Sequence, residues 1–112
     1  MSLNLFGRTA PALFLAFFAA NLAAQTLTIT PSGPVNVGSS VTFQYSDPNK
    51  AGMDIVVTAT GGLPATTDAV VIHLDADGNG SGTWTVKNWR KAFINAPGCV
   101  EQRLQINQTP KP

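Results

Sequence analysis

The feature that most constrains the fold of this chain is an alternation of apolar and polar residues in short segments. In Ser40–Ser46, the apolar side chains of Val41, Phe43 and Tyr45 are separated by polar ones. Because successive side chains of a β-strand point to opposite faces, this pattern predicts a strand with one buried face. The same alternation predicts further strands over residues 26–30, 54–60, 69–74, 83–87 and 102–107.

Residues that favour turns lie between these segments. Glycine supplies positive φ, proline fixes φ, and asparagine and aspartate bond to their own backbone. Such residues are concentrated at 31–34, 37–39, 47–49, 61–64, 75–82 and 95–98. The best helical candidate in this part of the chain, residues 88–93, is too short for more than one turn. Short strands at regular spacing therefore predict an all-β fold, an antiparallel sandwich of about seven strands.

The N-terminal segment has a different composition. Arg8 is the only charged residue before an apolar run over residues 13–20, and the segment ends in the small residues Ala23 and Ala24. A charged start, a short apolar run and a small-residue exit are the parts of a secretory signal peptide. We therefore predict a signal peptide over residues 1–24, with an apolar helix, and a protein that is secreted or periplasmic.

A transmembrane anchor is the alternative interpretation of this segment. Residues 10–24 are interrupted by Pro11 and Asn21, and they are fewer than the roughly 20 apolar residues that a spanning helix needs. No cysteine follows the predicted cleavage site, so lipidation there is not expected. We expect no stable membrane insertion after cleavage.

The remaining chain predicts one small domain over residues 25–107 and a flexible tail over residues 108–112. Without Arg8, basic and acidic residues are equal in number and the net charge is zero. A neutral domain has no long-range field that attracts nucleic acid, so we expect no nucleic-acid partner.

Cys99 is the only cysteine of the chain, so no internal disulfide can form. A half-buried cysteine that packs as a small apolar residue is the favoured interpretation. The alternative is a dimer joined by a disulfide between two copies of Cys99, since exported proteins meet an oxidising environment.

Two passages carry a resemblance to a known family. Residues 27–31 (LTITP) and 37–43 (VGSSVTF) resemble the opening of bacterial immunoglobulin-like domains, whose first strand ends near a proline and whose second follows a Gly-Ser turn. Residues 74–86 resemble their strand–turn–strand passage with a tryptophan in the second strand. The paired cysteines and intervening tryptophan of antibody domains are missing, so the likeness is to the bacterial or fibronectin-like group. The resemblance implies an extracellular interaction or spacer module and no particular ligand.

Asp75, Asp77 and Asn79 match the first half of a calcium-binding loop. Calcium prefers several oxygen ligands, and Gly80 stands where such a loop turns. Position twelve of the loop should be a bidentate glutamate and is Val86 here. The alternative is a glycine-rich hairpin turn, where the same residue types are expected.

Trp89, Arg90 and Lys91 form the candidate ligand-binding group. An aromatic ring followed by two cations can contact a ring-bearing or anionic ligand. Trp84 shares the inward phase of its strand with Val86 and is expected in the core. The alternative for Trp89 is that it covers one end of that core.

His73, the only histidine, lies on the polar phase of its strand and is expected to be exposed. A catalytic triad needs a histidine that is oriented by a carboxylate and faces a nucleophile, and no serine lies in a G-x-S-x-G frame. We predict that the protein is not an enzyme and, apart from calcium, uses no cofactor. The predicted function is an exported binding or spacer module for protein interaction or adhesion. A small carbohydrate-binding or calcium-dependent adhesion module is the alternative.

Overall fold

The computed structural model describes residues 25–109, which form eight β-strands and one short 3-10 helix, Pro48–Lys50. The strands are β1 Thr26–Thr30, β2 Val35–Asn36, β3 Ser40–Ser46, β4 Asp54–Gly61, β5 Thr66–His73, β6 Asn79–Thr85, β7 Lys91–Asn95 and β8 Gln102–Asn107. The all-β prediction is confirmed. The predicted signal peptide and the end of the tail lie outside the described residues. Within residues 25–109, no helix is long and apolar enough to cross a membrane.

The strands form two sheets. One sheet has the order β1-β3-β6, and the other has the order β2-β8-β7-β4-β5. All pairs are antiparallel except β2 with β8. The β4–β5 and β7–β8 hairpins each stay in one sheet, and at every other step the chain crosses to the other sheet.

The two sheets enclose a single apolar core. The inward side chains of β3, Val41, Phe43 and Tyr45, are almost fully buried, as their alternation predicts. Trp84 of β6 is buried beside them, with its ring centroid 6.4 Å from that of Phe43. Strands β4, β5, β7 and β8 cover the same core from the other side with Ile55, Val57, Ile72, Ile94, Leu104 and Ile106.

Strand β6 begins at Asn79, whereas the glycine content of residues 75–82 predicts a turn that lasts to Gly82. The glycines of this segment lie where the two sheets approach closely. A Cβ at Gly80 would lie 2.7 Å from the Ile72 side chain, and one at Gly82 would lie 2.8 Å from that of Val70. Glycine is therefore used here for sheet contact, and the prediction of a turn over its second half is wrong.

Strand β7 replaces the irregular or helical turn expected near residues 88–93. Its sequence hides the alternation, because the half-buried Phe93 stands between the buried Ala92 and Ile94 and the three read as one apolar run. Strand β5 also begins earlier than predicted, at Thr66, because its first residues are exposed and polar.

The loops that connect the strands lie at two opposite ends of the molecule. At one end, Asp54 pairs with His73, and the backbone of Asp47 donates to Gly78 at 2.8 Å. At the other end, Gly61 pairs with Thr66. Loops 47–53, 74–78 and 96–101 meet at the first end, and loops 62–65 and 86–90 meet at the second.

Candidate functional site

The charged side chains of the described residues are sorted between the two ends. The acidic residues other than Asp68 lie in or beside the loops of the first end, which we call the acidic end: Asp47, Asp54, Asp75, Asp77 and Glu101. The lysines and arginines other than Lys50 lie in the opposite half, which we call the basic end: Lys87, Arg90, Lys91 and Arg103. The described residues therefore carry little net charge, but their negative and positive charges are separated between the two ends of the molecule.

A cavity of about 560 Å³ opens at the basic end. The turn between β4 and β5 forms one wall with Gly62, Leu63 and Ala65, and residues 88–91, which lead into β7 and include its first residue, form the other. Its volume lies in the range that is usual for ligand sites. No acidic residue of the described chain lines it.

Trp89, Arg90 and Lys91, the residues that the sequence selects as a candidate site, all line this cavity. The indole of Trp89 fits there because two neighbouring residues, Gly61 and Gly62, have no side chain. A Cβ at Gly61 would lie 2.6 Å from the six-membered ring of Trp89, and one at Gly62 would lie 2.8 Å from its Nε1 atom. Any side chain at these positions would displace the indole.

Trp89 is also part of the core boundary. Its ring centroid lies 5.6 Å from that of Trp84, and the side chain is 9% exposed. This contact is within the range of favourable aromatic pairs. The ring thus covers the end of the core, as the alternative interpretation predicts, while part of it faces the cavity.

The two indole N–H groups have different partners. Trp84 Nε1 donates to Asp68 Oδ2 at 2.8 Å, and Lys87 Nζ donates to the same oxygen at 2.8 Å. These bonds, that of Lys87 first, hold the pKa of Asp68 below its ordinary value. Trp89 Nε1 has no acceptor within residues 25–109. Its donor is therefore available to a ligand in the cavity.

The cations of the cavity are free of acidic partners in the described structure. The ion pairs within residues 25–109 join Lys50 to Asp47, His73 to Asp54 and Lys87 to Asp68. Neither Arg90 nor Lys91 is among them, so both can meet an anion without breaking an existing pair.

The ring of Phe93, which also lines the cavity, is occupied by cations. Lys91 Nζ lies 5.5 Å from its centroid, and Arg103 Cζ lies 5.7 Å from it. Both distances allow a cation–π contact. Because the rings of Phe93 and Trp89 already have neighbours, the cavity offers hydrogen-bond donors and charge more than an open aromatic face for a sugar.

The predicted calcium ligands belong to the acidic end. Asp75 Oδ1 accepts the backbone N–H groups of Asp77 and Asn79, each at 2.9 Å. These bonds, that of Asn79 first, lower the pKa of Asp75. The carboxylate thus closes the turn, as in the hairpin alternative. In the described part of the chain no group of three or more His, Cys, Asp or Glu residues is placed to hold a metal ion.

Two other candidate residues have local roles. Cys99 is partly buried against the core, and burial raises the pKa of its thiol. This placement agrees with the interpretation as a small apolar residue. His73 is exposed, and its Nδ1 lies 2.6 Å from Asp54 Oδ1 on the neighbouring strand.

Several residues of the cavity are not evident from the sequence. Leu63, Phe93 and Gln108 come from a turn, a strand and the chain beyond β8, and only the fold brings them together. The Gly61–Gly62 pair is a signal that a bulky group approaches the backbone closely, but nothing in the sequence identifies that group as Trp89.

No protein-family model, curated protein or solved structure matches the chain.

Proposed function

We propose that this protein is an exported, non-catalytic module with an immunoglobulin-like sandwich, and that it acts by binding a protein partner at its basic end. The strand order supports the immunoglobulin-like assignment. Strands β1, β3 and β6 correspond to strands A, B and E of that fold, and β4, β7 and β8 correspond to C, F and G. Strand β5 lies beside β4, in the place of an additional strand next to C.

Export is supported by the charged start, apolar run and small-residue exit of residues 1–24. Expression of the full chain, followed by mass spectrometry of the product outside the cytoplasm, tests it. We expect a mature protein that begins at Gln25. A product that retains Met1 and stays with the membrane would contradict cleavage and favour an anchor.

The observation that carries the binding proposal is a cavity whose lining cations have no acidic partner within the described residues. Arg90 and Lys91 supply positive charge, Trp89 Nε1 supplies a donor that has no acceptor within the described residues, and no acidic residue of the described chain lines the cavity. The complementary partner group is a carboxylate. The exposed Leu63 on the cavity wall adds an apolar contact, so the partner is a peptide segment that carries acidic and apolar side chains together.

Calorimetric titration of the exported product with a peptide of alternating Glu and Leu tests this proposal. Binding should be at least about tenfold weaker for Arg90→Gln/Lys91→Gln, because both cations are lost. A peptide of alternating Lys and Leu should not bind.

Lys50→Gln is the matched control for the single variant Lys91→Gln. Each removes one positive charge, but Lys50 lies at the acidic end beside Asp47. The affinity for the acidic peptide should fall only with Lys91→Gln. No binding by the unmodified protein, or equal losses in both variants, would refute the basic end as the binding site.

A further inference from the structure

We infer that the acidic end of one molecule binds the basic end of another, so that copies of this chain join head to tail. The inference rests on the proposed function of the basic end and names its partner as a second copy. The complementarity of the two ends is a property of the fold and cannot be derived from the net charge.

The acidic end has the side chains that the cavity requires. Exposed carboxylates stand next to exposed apolar residues there: Asp54 follows Met53, which is 53% exposed, and Glu101 follows Val100, which is 86% exposed. Asp77 is exposed in the adjacent loop. This combination of acidic and apolar groups matches the basic end, where Arg90 and Lys91 have no acidic partner among the described residues and Leu63 is exposed.

The two ends of one molecule cannot meet. Strands such as β4 run from Asp54 at the acidic end to Gly61 at the basic end, so the two surfaces face away from each other. Contact must therefore be made between molecules. Such a contact joins two different surfaces and leaves one free end of each kind, so it can repeat. Repetition builds a ring or an open filament from single modules, and an open filament suits a spacer.

The strength of this contact should depend on salt. An exposed ion pair strengthens association by no more than about fivefold, and pairs between the ends are screened as the Debye length shrinks from about 30 Å at 0.01 M to about 3 Å at 1 M ionic strength. We therefore expect association that is weak, concentration-dependent and lost at high salt.

Sedimentation velocity of the exported product at about 0.01 M and about 1 M ionic strength tests the inference. At low salt, the weight-average sedimentation coefficient should rise with protein concentration, and at high salt it should remain that of a monomer. Arg90→Glu/Lys91→Glu replaces the two cations of the cavity with carboxylates, and Asp77→Lys/Glu101→Lys replaces two exposed carboxylates of the acidic end with cations. Each variant alone should associate at least about tenfold more weakly than the unmodified protein, because like charges then face each other.

An equimolar mixture of the two charge-reversed variants is the decisive sample. The reversed acidic end of one variant is complementary to the reversed basic end of the other, so mixing should restore association. Lys50→Gln, which only makes the acidic end more acidic, should associate at least as well as the unmodified protein. The absence of rescue on mixing would overturn the inference.

The failure of this inference can be distinguished from that of the proposed function. A protein that binds the acidic peptide but stays monomeric at low salt has a functional basic end and another partner. A protein that neither binds the acidic peptide nor associates at low salt would refute both proposals. Association that persists at high salt or in the charge-reversed variants would identify a different interface and would contradict the head-to-tail contact.

Discussion

The acidic and basic ends close the same core in different ways. At the acidic end, backbone groups of neighbouring loops bond to each other, as in Leu74 N–H to Met53 O at 2.8 Å, and Tyr45 Oη donates to Pro97 O at 2.7 Å. At the basic end, Trp84 and Trp89 cover the core with side chains. A cavity of about 560 Å³ lies beside these rings, and one of about 390 Å³ lies near Tyr45 and Asp75 at the acidic end. The candidate site lies at the basic end because Arg90 and Lys91, which have no acidic partner in the described structure, line its cavity.

The largest expected effect comes from removing the ring on which the basic end depends. Trp84→Ala should lower the free energy of unfolding by about 3–5 kcal/mol, as is usual for a large buried ring. It also removes a donor to Asp68. Urea unfolding measures the loss. A loss below about 1 kcal/mol would show that side chains do not close this end.

Two glycine substitutions at the acidic end distinguish the stability lost to a steric clash between loops from the stability lost to backbone strain. Gly78 has a φ of +85°, and a Cβ there would collide with the carbonyl group of Asp47. Gly52 has a similar φ of +78°, but a Cβ would have no neighbour within 4 Å. We expect Gly52→Ala to cost about 1–2 kcal/mol and Gly78→Ala to cost a further 1–3 kcal/mol or so. Equal losses in urea unfolding would mean that the loops of this end are not in close contact.

The hydroxyl of Tyr45 is expected to have a smaller effect. Tyr45→Phe should cost about 0.5–1.5 kcal/mol, because the Pro97 carbonyl loses its donor. Burial, followed by the charge of Asp47, raises the pKa of Tyr45 to about 12 from an ordinary value of 10.0. The neutral phenol therefore contributes stability below pH 10 that is lost as the pH rises towards 12. Urea unfolding at alkaline pH should show this loss in the unmodified protein but not in Tyr45→Phe.

The smallest effect is expected at acidic pH and concerns the basic end. Because the pKa of Asp68 is lowered in the folded protein by its bonds to Lys87 and Trp84, its carboxylate contributes stability above its ordinary pKa of 3.8. That contribution is lost as the pH falls further, through the folded value. Asp68→Asn should remove this part of the acid dependence, at a cost near pH 7 of no more than about 1 kcal/mol. An unchanged acid dependence in the variant would contradict a role for Asp68 in closing this end.

Alternation in the sequence predicts most of the fold because it reports burial directly. Strands β1 and β3 begin and end where it predicts, at Thr26–Thr30 and Ser40–Ser46. It fails where other constraints dominate. Glycines of β6 serve close sheet contact, and Phe93 is partly buried on the outward face of β7, which hides its period.

The candidate site could be predicted only in part. Trp89, Arg90 and Lys91 are consecutive, so their types alone suggest a binding group. The sorting of acidic and basic residues to opposite ends depends on which loops meet, since the loops beside Asp54 and Asp77 are distant in sequence and bond to each other only in the folded chain. The turn between β4 and β5, which forms the opposing wall of the cavity, is likewise brought beside Trp89 only by the fold.

The central claim is that a partner binds at the basic end, and the two indole N–H signals of a proton–nitrogen NMR spectrum test it most directly. Titration of the exported product with the alternating Glu and Leu peptide should shift the signal of Trp89, whose N–H has no acceptor within the described residues. The signal of Trp84, whose N–H is bonded to Asp68, should move little and serves as the internal control. A spectrum in which the Trp89 signal stays fixed while the peptide binds would contradict the claim.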